Sequence, residues 1–99
     1  MNTNYLTVKE LPMSERPYEK CEAYGPESLS DAELLAVILR TGSRGLRVID
    51  LAVNVLNYSP NNPGLKGLNY LTMKELTQIS GIGRVKAIEL LCLTEITKR

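Results

Sequence analysis

Apolar residues recur every three or four positions through most of this chain, the rhythm of helices that bury one side. Residues 1–13 lack that rhythm and read as an extended arm. Pro12 would break a helix there, and Pro17 restricts Arg16 before it to extended backbone. Leu6 and Val8 are the residues able to pin such an arm to a core. Pro17 itself suits the first position of a helix over 18–24, which Gly25-Pro26 would stop. Ser30-Asp31-Ala32-Glu33 places a carboxylate three residues after a hydroxyl. This capping box opens a second helix with Leu34, Leu35, Ile38 and Leu39 on one side. Arg40-Thr41-Gly42-Ser43-Arg44-Gly45 ends it. A third helix over about 46–57 has Val48, Leu51, Ala52 and Val55 as its stripe. Residues 58–64 are dense in turn formers, and 65–71 can form a short connecting helix. Thr72-Met73-Lys74-Glu75 is a second capping box, with Leu76 and Ile79 following at helical spacing. The last helix carries Val85, Ile88, Cys92 and Ile96, with Leu91 beside them, as its expected buried stripe. The pattern predicts an all-α domain of five or six short helices over residues 15–99, preceded by an arm over 1–14.

The stretch between the last two helices concentrates the chemistry. Gly81 can take the left-handed conformation that ends a helix. Gly81 and Gly83 carry no side chains, so a flat ligand could approach the main chain closely. The first N–H groups of the next helix lack intrahelical partners and carry the positive end of its dipole, a combination that binds phosphate. Ile82, between the glycines, can plug back between the helices. Arg84 and Lys86 follow where cations reach neighbouring phosphates. The plainer alternatives are a helix corner that only packs, and helix-start cations that do nothing.

Leu76, Ile79, Gly81, Ile82 and Gly83, with Ala87 and Ile88 after them, resemble the helix-hairpin-helix motif of sequence-independent DNA-binding proteins. The resemblance implies that the turn's main chain contacts consecutive phosphates of one strand. It implies that Ala87 and Ile88 lie where the second helix packs on the first. No cofactor or metal is required, although a monovalent cation can sit at hairpin carbonyls in related motifs.

Composition then narrows the chemistry. The chain has no His, Trp or Phe. Without His, most zinc-hydrolase sites and nearly all His-based acid–base schemes are excluded. Cys21 and Cys92 have no close Cys or His partner, so neither a metal site nor a disulfide framework is expected, and a reducing cytoplasmic setting fits. Cys92 falls on the expected buried stripe and reads as core; Cys21 reads as half-buried. No signal peptide and no membrane-spanning run is expected. Asp31, Glu33, Asp50 and Glu75 look like paired acids, but no nucleophile or metal ligand accompanies them, and no enzyme activity is expected. The five tyrosines are scattered, with no ladder for stacking bases.

Net charge is +1, but it is unevenly placed. Residues 1–39 hold three Lys/Arg against seven Asp/Glu, and residues 40–99 hold nine against four. That asymmetry suggests a moderately basic later half whose DNA binding would be weak and salt-sensitive. The two halves also look alike. Glu33-Leu34-Leu35 answers Glu75-Leu76-Thr77, and Arg47-Val48-Ile49-Asp50-Leu51 answers Lys86-Ala87-Ile88-Glu89-Leu90. The turn over 41–45 would then be a degenerate first copy, lacking the central aliphatic residue, in a paired-hairpin domain. Arg40, Arg44 and Arg47 flank it, where a second strand would pass; alternatively they pair with Glu19, Glu22 or Glu27. Thr41 and Gly42 fit helix capping better than binding.

The order of motifs carries a second resemblance. Glu15-Arg16-Pro17, Tyr24-Gly25-Pro26-Glu27-Ser28-Leu29-Ser30-Asp31-Ala32-Glu33-Leu34-Leu35 and Leu39-Arg40-Thr41-Gly42 resemble the amino-terminal region of bacterial RadC-like proteins. Gly81-Ile82-Gly83 and Lys86-Ala87 sit where that family has its hairpin. The resemblance implies an all-helical, DNA-binding-like amino-terminal domain, a following JAB/MPN-type domain with a zinc-hydrolase motif, and a link to DNA repair. The family's metal site maps onto no residue of this chain. The expected function is DNA binding without sequence preference through Gly81, Ile82, Gly83, Arg84 and Lys86, with Arg44 and Arg47 at the first turn, positioning the downstream domain. The rival is a protein-interaction module, whose acidic first helices and Leu-rich surfaces dock a partner or that carboxy-terminal domain.

Overall fold

Short-range signals set most helix ends in the computed structural model, which describes residues 16–99. The expected arm, with Leu6 and Val8, lies outside the described residues. Five α-helices follow in order: α1 (Pro17–Tyr24), α2 (Asp31–Leu39), α3 (Val48–Leu56), α4 (Met73–Gln78) and α5 (Arg84–Lys98). Two 3-10 segments, Pro26–Ser28 and Leu65–Tyr70, lie between them. The fold is all-α: among the described residues the one β feature is an isolated antiparallel bridge between Ser43 and Leu46. The chain divides into two compact units, one ending at Ala52 and the other spanning Val53–Arg99, with the boundary inside α3.

In the first unit, Pro17 opens α1 at a position where its missing N–H costs nothing, and Gly25, at φ 87°, ends it. Two polar contacts tie α1 to α2. Lys20 Nζ donates to both Glu33 carboxylate oxygens at 3.1 and 3.3 Å, and the Tyr18 hydroxyl donates to the Val37 carbonyl at 3.0 Å. The Ser30 capping box is complete: Glu33 N–H donates to Ser30 Oγ at 3.2 Å, and Ser30 N–H donates to Glu33 Oε1 at 2.8 Å. Leu29, Leu35, Ala36, Leu39, Leu51 and Ala52 are among the buried residues described in this unit. Ile38, expected inward, is exposed, and the smaller Ala36 takes an inward position.

In the second unit, the expected connecting helix forms as the 3-10 segment Leu65–Tyr70, with Gly67 and Leu68 buried. The Thr72–Glu75 capping box closes the start of α4. Tyr58 in the preceding loop donates its hydroxyl to Gln78 at 2.8 Å. Leu76 is fully buried, and α5 packs against both α4 and the 3-10 segment.

The phase of α5 corrects the sequence expectation. Its buried residues are Ala87, Leu90 and Thr94. Val85 and Ile96 are 63% and 70% exposed, Ile88 is 39% exposed, and Cys92 is exposed rather than core. The helix is apolar on two sides, so periodicity offers two stripes and cannot choose between them. Ala87, with no exposed surface, has the small side chain that lets α5 approach its neighbours closely. Thr94 is buried at low cost because its hydroxyl donates to the Leu91 carbonyl at 2.8 Å.

Candidate nucleic-acid interface

The turn between α4 and α5 is built from residues 79–83. Ile82 N–H donates to the Ile79 carbonyl at 3.0 Å, closing a four-residue turn. Gly81, its third residue, has φ 93°, a conformation that side chains resist. Ile79 and Ile82 are both buried, so the expected plug is in place beneath the turn.

Gly83 is different. It is the N-cap of α5, with φ −90° and ψ −169°, extended backbone open to any residue. A Cβ added there would meet nothing within 4 Å. Folding therefore does not demand glycine here, and a Ser or Asp would cap the helix better. The first bond of α5 runs from Ala87 N–H to the Gly83 carbonyl at 3.0 Å, so helix geometry gives the N–H groups of Gly83, Arg84 and Val85 no acceptor four residues back.

The helix starts contrast in charge as well. The first turns of α1, α2 and α4 each contain an acidic residue, and α2 and α4 also have side-chain caps. The first turn of α5 has no acid and no side-chain cap. It holds exposed Arg84 and half-buried Lys86 instead. The positive end of this helix dipole has no side-chain cap, and its first turn carries cations rather than carboxylates.

The first turn is organised by its own backbone. Ser43 and Leu46 exchange two main-chain hydrogen bonds, at 3.0 and 2.9 Å, around Arg44-Gly45. A Cβ on Gly42 would run into the Leu46 carbonyl oxygen and the Val48 nitrogen, so this glycine is required sterically. The cap of α2 is Arg40, not Thr41 or Gly42. Thr41 N–H donates to the Leu39 carbonyl at 2.8 Å across Arg40, which sits at φ 69° and ψ −48°. That is the uncommon, strained form of the three-residue turn. Arg44 is exposed at the tip. Arg47 is half-buried, and its Nε and Nη2 donate to Asp50 at 2.8 and 3.2 Å. The structure thus groups Gly81, Ile82, Gly83, Arg84 and Lys86 on one turn and helix start, and Arg44 and Arg47 about the other.

At the start of α2, partial burial raises the Glu33 carboxyl, but the Ser30 N–H, the Lys20 ammonium and the Ser30 hydroxyl outweigh it. The result lies below the ordinary carboxylate value. Among the described residues, no group of three or more Cys, Asp or Glu could hold a metal ion. No helix among them is long and apolar enough to cross a membrane. Sequence reasoning did not foresee the exposed outer face of α5; the doubled apolar pattern of that helix was the available signal.

The UPF0758 N-terminal family profile matches residues 8–88. A UPF0758 protein of Alkaliphilus oremlandii is 47% identical over 95 residues, covering 96% of this chain and 40% of that protein. One from Alkaliphilus metalliredigens is 48% identical over 98 residues, covering 98% of this chain and 41% of the relative. A Clostridium botulinum UPF0758 protein is 44% identical over 96 residues, covering 97% and 41%. The chain thus spans about two fifths of the length of these curated relatives. No solved structure matches it. With the profile covering most of the described helices and these relatives matching nearly end to end, the chain belongs to the UPF0758 N-terminal family.

Proposed function

We propose that this chain binds DNA without regard to sequence, through the main-chain N–H groups at the Gly81–Gly83 turn and the start of α5. The observation that carries the reading is Gly83: an uncapped helix start, unobstructed where folding would tolerate a side chain. Open N–H groups at the positive end of a 15-residue helix suit a phosphate oxygen. Buried Ile82 fixes the turn in shape before a ligand arrives, which limits the ordering cost of binding. Arg84 and Lys86 add charge at the same end, and main-chain contact to phosphate carries no base information. Exposed Arg44 would serve a second strand, and Arg47 would do so only on leaving Asp50.

On this reading the motif is a helix-hairpin-helix in a RadC-like, DNA-repair-associated protein; the RadC family falls in the UPF0758 group. The chain itself does no chemistry. In the whole cytoplasmic protein it would position a carboxy-terminal JAB/MPN-type domain on DNA.

The test is a titration of labelled duplex, forked and single-stranded DNA at low and moderate salt, with NMR shift mapping. Shifts centred on 82–86 that fade with salt are expected, and Gly83→Glu should abolish them while leaving the fold intact. Unchanged affinity in folded Gly83→Glu would remove the turn as the site. Absence of binding at low salt would favour the protein-interaction module.

A further inference from the structure

The side chains along the outer face of α5 take no part in the proposed phosphate contact, yet they are apolar. Val85, Ile88 and Ile96 are exposed to 63%, 39% and 70%, and Cys92 is exposed between them. Their spacing of three, four and four residues places all four along one side of a helix whose other side holds Ala87, Leu90 and Thr94 in the core. A helix apolar on both sides is normally covered on both. A contiguous apolar face of this kind is often functional.

Size restricts the occupant. At these exposures the four side chains offer on the order of 300 Å², well short of the roughly 800 Å² per partner typical of stable interfaces between free proteins. A second copy or a diffusing partner would gain too little here. A tethered partner works at an effective concentration in the millimolar range and needs far less surface. The curated relatives supply such a tether: this chain spans about 40% of their length, and the matching profile describes an N-terminal region.

We propose that the Val85–Ile88–Cys92–Ile96 face is the seat of the polypeptide that follows this region in the full-length UPF0758 protein. The occupant presents a small apolar patch to α5 and is held there by covalent connection. Docking is independent of DNA, although α5 would then carry both surfaces, phosphate at its start and the downstream domain along its side.

Cys92 is a built-in reporter. Its maleimide reaction rate, followed by mass spectrometry of the Cys92 peptide, would be compared in the 99-residue chain and in a chimera. In the chimera this chain replaces the matching 95 residues of the Alkaliphilus oremlandii protein. The rate should fall at least tenfold in the chimera, and Ile96→Asp, at an already exposed position, should restore it. Gly83→Glu should leave protection unchanged, which separates this test from that of DNA binding. Equal rates in both proteins would overturn the proposal. So would protection that survives Ile96→Asp. Protection already present in the 99-residue chain would also overturn it, by a second copy if it depends on concentration and by the chain itself if it does not.

Discussion

Between α2 and α3 the chain uses residues 40–47; between α4 and α5 it uses only 79–83. Both turns carry glycine, but the demands on it differ. Around Gly42 the backbone is so close that a Cβ would strike the Leu46 carbonyl and the Val48 nitrogen. Around Gly83 there is open space, and the backbone is extended. The first turn is shaped by its own hydrogen bonds between Ser43 and Leu46 and holds Arg40 in a strained conformation. The second is held from beneath by Ile82, leaving its upper side and the following helix start uncapped. A glycine that packing requires says nothing of ligands. One that packing does not require, at a position where Ser or Asp would stabilise the helix, points outward.

The sharpest way to break this comparison is to put the same methyl group at both glycines. Gly42→Ala should cost about 3 kcal/mol or more, because backbone must move to admit the Cβ. Gly83→Ala should cost less than about 1 kcal/mol. Urea denaturation of the two variants measures both. Equal losses would mean that Gly83 is as structural as Gly42, and the inference drawn from its open surroundings would fail.

Gly83→Asp sharpens the contrast by separating folding from binding. A carboxylate at the N-cap should raise stability by a few tenths of a kcal/mol, since it satisfies N–H groups and faces the positive helix end. The same carboxylate would occupy the proposed phosphate position, so DNA affinity should fall by at least about tenfold, or about 1.4 kcal/mol. A more stable protein that binds DNA as before would show the turn to be a bystander.

Side-chain charge should matter less than the main chain. Replacing Arg84 and Lys86 together with Ala should weaken binding and reduce the slope of log affinity against log salt by up to about two. An unchanged slope would mean that neither cation meets phosphate. The same change at Arg44 tests the first turn, where a slope reduced by about one would give that turn a share in binding.

The first turn also permits a test of strain. Arg40→Gly should relieve the positive φ and raise stability by up to about 1 kcal/mol, less whatever glycine adds to the unfolded chain's entropy. Loss of stability instead would show that the Arg40 side chain contributes more than its backbone costs.

The same elements show what could be read from sequence. Pro17, the two capping boxes and Gly25 act through backbone groups within four residues, so they gave the starts of α1, α2 and α4 and the end of α1 directly. Gly81-Ile82-Gly83 was legible for the same reason: a local turn and one buried plug define it. The buried side of α5 was not, because two apolar stripes share that helix and only its neighbours choose between them. The turn at Arg40 had no local signal, since a positive φ at a non-glycine residue is imposed by the hydrogen bonds around it. For Arg47 the sequence reading named Glu19, Glu22 or Glu27 as partners and passed over Asp50, which lies three residues on, within reach of an ion pair, and accepts from the guanidinium in the structure.

A small, pH-dependent effect is expected at the start of the first helix pair, where Glu33 both caps α2 and holds Lys20 of α1. Its carboxyl lies below the ordinary value of 4.5 in the folded protein, so the ionised form favours folding. That contribution is fully present above the ordinary value and is lost as pH falls through the lowered one. Glu33→Gln should therefore cost about 0.5–1 kcal/mol at neutral pH, and the cost should shrink in acid until wild type and variant converge. Denaturation midpoints at neutral and acid pH would measure this. A difference between the two proteins that stays constant with pH would assign Glu33 a packing role instead. The linkage of α1 to α2 would then rest on the Tyr18 hydroxyl and its bond to the Val37 carbonyl.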